Sequence, residues 1–194
     1  MKRSGSKSIF MLLISGLLLT SCLLPGMIPM NGEPAATSGP LPMMETDPDA
    51  LLEMLQGGEW TYLQALAQEQ YTEEDFAEPG TLTFTVTVTD NKPTYFNYGW
   101  CTTTQEILQQ NFEHIRVTLY FNDEALGEDV VHPITFTRPD GFVCLDFGVM
   151  MSDWVNGEYR LKSVVTFEEQ INDGAADFAA GDYIYEYHVT VDKP

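Results

Sequence analysis

The chain is short of positive charge. Nine lysines and arginines stand against 29 aspartates and glutamates, giving a formal net charge of −20 over 194 residues. That balance excludes nucleic acid as a partner, because holding phosphates requires cationic neutralisation. It equally argues against peripheral attachment through anionic lipid heads. Histidine is scarce, with three in the chain. His114 falls at the end of an expected helix, His132 before a proline in an expected edge strand, and His188 on the outward face of the last strand. No pair has metal-ligand spacing, and each reads as a surface or capping residue. Also missing are a Gly-x-Ser-x-Gly elbow, a His-Glu-x-x-His helix, a phosphate-cradling glycine loop and a dinucleotide fingerprint. The chain is therefore expected not to be an enzyme. A hydrolase working through scattered carboxylates is the one catalytic class left open. Long apolar runs are missing too. Residues 9–19 are apolar apart from Ser15 and Gly16, about a dozen residues where a spanning helix needs about twenty.

What is present begins with that short run. It follows Lys2, Arg3 and Lys7 and has the length of a signal-peptide core. It closes in Leu19-Thr20-Ser21-Cys22, with small Ser21 before the cysteine. This stretch resembles the lipobox of a bacterial lipoprotein. The resemblance implies thioether attachment of diacylglycerol to the Cys22 sulfur and removal of residues 1–21. Ordinary cleavage without lipid is the alternative. Two or more acyl chains, such as palmitate, anchor stably where one binds marginally, since each buried CH₂ contributes about 0.8 kcal/mol. The protein is then expected on the cell membrane or outer membrane, with its domain facing the periplasm or the cell exterior. Leu23 follows the cysteine, so the aspartate that resembles an inner-membrane retention signal is missing. Residues 1–21 hold three of the nine basic residues and none of the acidic ones, which leaves six against 29, a net charge of −23. Such a surface aids solubility and repels its own copies.

Lipidation of Cys22 leaves two cysteines. In an oxidising compartment an even pair suggests a disulfide, here between Cys101 and Cys144, with two buried free thiols as the alternative. Closing that loop would stabilise the fold by roughly 4 kcal/mol on the chain-entropy model. Val143, Leu145 and Phe147 alternate, so Cys144 faces the other way. The bridge is expected beneath a helix or at an edge, away from the central core.

Residues 22–46 are rich in proline, glycine, methionine and small residues and read as a disordered tether. Its irregularly spaced methionines do not make a soft-metal motif. Residues 47–79 read as a helical segment. Asp47-Pro48-Asp49 is a start signal, Gly57-Gly58 interrupts, and the helical period resumes at Trp60, Leu63, Leu66 and Ala67. From Gly80 the period becomes two. Residues 81–89 alternate threonine with apolar side chains, the strongest strand signal in the chain. Further strands are expected at 94–101, 115–121, 130–137, 142–147, then from Tyr159 to Phe167 after a turn at Asn156-Gly157, and from Tyr183 to Val191 after Gly181. Pro133 marks the fourth as an edge. Between the second and third, Thr103 and Glu106 form a capping box that opens a helix running to about Glu113.

About seven strands with one short crossing helix predict a mainly β, antiparallel β-sandwich over residues 80–194. Its ending, Gly-x-Tyr-x-Leu at 157–161 and then Gly-Asp-Tyr-x-Tyr-x-Tyr-x-Val-x-Val at 181–191, resembles the last hairpin of immunoglobulin-like domains. No tryptophan lies between Cys101 and Cys144, where that family carries one.

Two clusters are candidate ligand sites. Tyr95, Tyr98 and Trp100, with Trp154, are able to form a sugar-stacking platform, although aromatics also fill sandwich cores. Glu168, Glu169, Asp173 and Asp177 concentrate hard oxygen ligands in the loop joining the last two strands, the chemistry Ca²⁺ takes, without the spacing of an EF-hand. The leading expectation is a membrane-anchored, non-catalytic binding or scaffolding sandwich whose partner is a protein or a glycan. Carbohydrate binding through exposed aromatics is the second.

Overall fold

The computed structural model describes residues 40–194. Cys22, its lipobox and most of the expected tether lie outside them. The described chain opens with a two-residue strand, β1 (Met43–Met44), and then helix α1 (Pro48–Gly57). Asp47 caps α1 by accepting from the Asp49 amide at 2.9 Å, Pro48 occupies the first turn where its missing N–H is harmless, and Gly58 ends the helix in the left-handed region at φ 72°. A second short strand, β2 (Thr61–Tyr62), separates α1 from two 3₁₀ helices, Leu63–Gln70 and Glu73–Phe76. The helical period from Trp60 hides β2, which exists because the Thr61 amide donates to the Pro93 carbonyl at 2.8 Å.

The seven expected strands are present. They are β3 (Gly80–Val88), β4 (Thr94–Thr102), β5 (Ile115–Phe121), β7 (His132–Thr137), β8 (Val143–Ser152), β9 (Gly157–Phe167) and β12 (Gly181–Val191). Two-residue pieces, β6 (Glu124–Ala125), β10 (Ile171–Asn172) and β11 (Asp177–Phe178), join them. In one sheet the order is β2-β4-β8, with β1 and β7 along the far side of β8. The other runs β3-β12-β9-β5-β6. The two sheets make the chain mainly β and sandwich-like. It is not wholly antiparallel, because β2 on β4 and β3 on β12 pair in parallel. Both exceptions are strands reached by a crossover or a loop, where no tight hairpin dictates direction. The free edge of β3 is blunted by Gln70, whose side-chain amide donates to the Thr85 carbonyl at 2.6 Å and accepts from the Thr85 amide at 2.9 Å.

Between the sheets, Phe84, Val86 and Val88 meet Phe96, Val149 and Met151, and Leu63 and Ala67 of the first 3₁₀ helix close the cluster. Helix α2 (Gln105–Asn111) plugs one end, placing Leu108 with Trp100, Val165 and Phe167. Its cap is Thr104, one residue later than the expected Thr103, with Thr104 Oγ1 accepting from the Ile107 amide at 3.3 Å. Three threonines in a row leave the register open to sequence. Thr103 is committed elsewhere, its amide bonded to the Asp173 carbonyl. Thr104→Ala is expected to cost about 1 kcal/mol in urea denaturation, and Thr103→Ala markedly less.

Cys101 and Cys144 form a disulfide. They face each other in neighbouring strands of one sheet, with Cα atoms 4.0 Å apart. Cys144 lies on the face opposite Leu145, as the alternation requires, and Leu145 is the residue that meets α2. The bridge is therefore not beneath the helix. It lies between β4 and β8 on the outer face of their sheet, with β7 on the far side of Cys144. His132 also departs from expectation. It is buried, paired across from Gly148, rather than a surface histidine.

Candidate functional site

Tyr95 and Asn97 of β4 and Asp146 and Gly148 of β8 share the outer face of their sheet, because cross-strand partners point the same way. Gly148 carries no side chain, and a Cβ there would run into the Tyr95 ring. That gap lets the ring cross to Asp146, where Tyr95 Oη donates to Oδ2 at 3.0 Å. Asn97 Nδ2 donates to Oδ1 at 2.6 Å. α1 covers part of this face, with Leu51 fully buried against Tyr95 and Met150.

A cavity of about 320 Å³ opens beside this group. On the outer face it is bounded by Tyr62, Asn97, Gly99 and Asp146. Past the edge of β4 it continues between the sheets, where Tyr98, Trp100, Phe178, Tyr183 and Tyr185 line it. Gly99 marks the passage, since the space a Cβ would fill lies 3.0 Å from Asp146 Oδ1. In the inner lobe Tyr98 stacks on Tyr185 at 6.2 Å with planes 17° apart, and Trp100 meets Phe178 edge-on at 4.9 Å. Trp100 Nε1 in this lobe and Asn97 Oδ1 on the outer face are buried with no hydrogen-bond partner among the described residues. Among the described residues no lysine, arginine or histidine lines the cavity.

Burial holds the Asp146 carboxyl above its ordinary value, against the opposing bonds from Asn97 and Tyr95. Tyr62 is pushed up to about 12, by burial first and then by the charge of Asp146. Tyr95 and Tyr185 are raised further, and Tyr98 lies well above the ordinary phenol range, in each case chiefly by burial. These phenols stay protonated at neutral pH, and two of them donate, Tyr62 to Gln64 Oε1 at 2.7 Å and Tyr95 to Asp146. The arrangement offers aromatic surface, neutral donors and one carboxylate, which is the makeup of a binding pocket.

The expected aromatic platform is divided. Tyr98 and Trp100 line the cavity. Tyr95 is buried behind it, supporting Asp146, and Trp154 is in the main core, against Phe121 and Tyr159. The four acidic loop residues are not gathered into one group. Glu168 pairs with Arg116 at 3.1 Å and Glu169 approaches His114 at 3.4 Å. Asp173 Oδ1 accepts from the Ala175 and Ala176 amides, and Asp177 Oδ1 accepts from Asn172. Among the described residues no three His, Cys, Asp or Glu side chains come together as metal ligands. Asp146 escaped the sequence reading because a lone carboxylate in an alternating strand reads as a wet-face residue. The signal available was its company, since Cys144 and Gly148 two residues either side are poor choices for a solvated face.

Compared with known proteins, the chain matches no family model, no curated protein and no solved structure.

Proposed function

We propose that the chain is an extracytoplasmic lipoprotein, held to a membrane by acyl chains on Cys22, whose immunoglobulin-like sandwich binds a partner at the Gly99 cavity and catalyses nothing. The observation that carries this reading is Leu19-Thr20-Ser21-Cys22 closing a short apolar run behind three basic residues. Among the described residues no helix is long and apolar enough to cross a membrane, so the acyl chains are the proposed anchor.

Strand order supports the immunoglobulin-like part. The sequence β2-β4-β8-β7 in one sheet and β6-β5-β9-β12 in the other follows the A-B-E-D and C′-C-F-G order of that architecture. Tyr159, at the start of β9, donates its hydroxyl to the Val155 carbonyl at 2.8 Å, the bond of a tyrosine corner. The disulfide departs from the family pattern, joining two strands of one sheet instead of bridging the sheets. Binding is supported by the makeup of the cavity. A two-carboxylate glycosidase needs a facing pair, and among the described residues Asp146 is the one carboxylate lining this cavity.

Cys22→Ala is expected to move the protein from the membrane pellet to the soluble fraction and to abolish metabolic labelling by a palmitate analogue. A pellet-bound, labelled Cys22→Ala protein would refute the anchor. Carbohydrate is the second reading, favoured by the Tyr98 and Trp100 rings in the cavity. Loss of glycan-array binding in Trp100→Ala, with the circular dichroism unchanged, is its test.

A further inference from the structure

We propose that the edge of β4 at Asn97, Gly99 and Cys101 accepts an extended peptide as an added strand, and that the peptide presents a basic side chain to Asp146 and an apolar one to the inner lobe. This rests on the cavity being the binding site, and names its ligand class.

The direction of the backbone groups follows from the ladder. Arg138 donates its amide to the Phe142 carbonyl, and the Met150 carbonyl accepts from the Glu45 amide on the side of β8 away from β4. By alternation Cys144, Asp146 and Gly148 point their backbone groups to that far side, towards β7. Their partners across β4 (Cys101, Gly99 and Asn97) therefore do not bond to β8. The 4.0 Å separation of the Cys101 and Cys144 Cα atoms is that of a non-hydrogen-bonded pair. The N–H and C=O groups of Asn97, Gly99 and Cys101 point outward along β4.

This edge is bracketed. At one end the Pro93 carbonyl is taken by the Thr61 amide, and at the other the Thr103 amide donates to the Asp173 carbonyl at 2.8 Å. Between them no described strand continues β2 along β4. The opposite sheet's edge is blunted by Gln70, whereas this one borders a cavity. Edge strands left with unpaired groups are the sites of strand addition.

Side-chain alternation then fixes the chemistry. A strand laid on this edge sends successive side chains to the two faces of the sheet. On the outer face the neighbour is Gly99, whose missing side chain lets the Asp146 carboxyl lie over it, with Oδ1 3.0 Å from the position of a Cβ, and Asp146 has no basic partner among the described cavity residues. On the inner face the next side chain enters among Tyr98, Trp100, Phe178 and Tyr185. Basic and apolar residues in alternation satisfy both. The chain's own tether is not this partner by composition, since residues 23–45 contain no lysine or arginine.

The test uses the full chain and a blocked octapeptide of alternating lysine and valine. Controls are the glutamate–valine counterpart, an all-lysine octapeptide and a backbone N-methylated lysine–valine peptide. The lysine–valine peptide is expected to bind, to slow hydrogen exchange at the Asn97, Gly99 and Cys101 amides, and to bind at least tenfold more tightly than any control. Asp146→Asn is expected to weaken it at least tenfold, with Asp146→Glu retaining part of the affinity. Unchanged exchange at Gly99, or equal binding of the N-methylated or all-lysine peptide, would overturn the proposal. If a neutral sugar or fragment shifts the Tyr98 and Trp100 resonances while no peptide binds, strand addition falls and the binding cavity stands. If no probe shifts them, both fall.

Discussion

Replacing both Cys101 and Cys144 by alanine is expected to lower stability by about 4 kcal/mol, the chain-entropy figure for a loop of this length. The bridge spans 43 residues and encloses α2, β5, β6 and β7. In the unfolded chain it holds two partners of the β4–β8 ladder together. In the folded chain those partners already lie opposite each other, so the bond constrains the unfolded ensemble more than it reshapes the native one. Urea denaturation of the wild type in the presence of reductant should show a loss of the same size. A change below about 1 kcal/mol in both experiments would mean that the unfolded chain gains little from release of the loop.

Asp146 gives the second large effect. Asp146→Ala leaves the Tyr95 hydroxyl and the Asn97 amide nitrogen buried without their acceptor, at a cost of roughly 2–4 kcal/mol. Asp146→Asn behaves differently. Its oxygen still accepts from Tyr95, and rotation of the Asn97 amide offers the unpartnered Oδ1 to the new NH₂ group. The pH dependence has a definite sign. Burial raises the folded carboxyl above its unfolded value, so the folded state binds the proton more tightly. The contribution of this group is fully favourable below the unfolded value. It falls as pH rises through the interval up to the folded value, and stays lower above it. Asp146→Asn removes that fall, so its stability relative to the wild type rises with pH between the unfolded and the folded value and levels off above the folded one. Denaturation curves between pH 3 and 7 measure the difference. An Asp146→Asn protein as unstable as Asp146→Ala, or one whose difference from wild type is flat with pH, contradicts this account.

The strands were legible because a half-buried strand writes its period directly into the chain. Residues 81–89 alternate threonine with Leu82, Phe84, Val86 and Val88, and β3 buries the last three of these. The last strand does the same with Tyr183, Tyr187, Val189 and Val191. What alternation does not carry is pairing. Counting cysteines named Cys101 and Cys144, yet their direct opposition depends on the register of β4 and β8, which is set by contacts far apart in sequence. The parallel placement of β3 on β12 is likewise a property of the crossover and leaves no local mark. In the site, Tyr98 and Trp100 were legible as aromatics on one face of β4. Tyr95 was grouped with them because composition does not separate faces, although odd and even positions do. Asp146 and Gly99 were not legible. One looks like a solvated charge and the other like an ordinary glycine, and their meaning arises only when β4 and β8 lie side by side.

The most direct measurement is the intact mass of the protein extracted from membranes. The account predicts a chain beginning at Cys22 that carries a diacylglyceryl group, with a further mass deficit of two hydrogens from the Cys101–Cys144 bond. Recovery of the unmodified chain beginning at Met1 from the soluble fraction would contradict it.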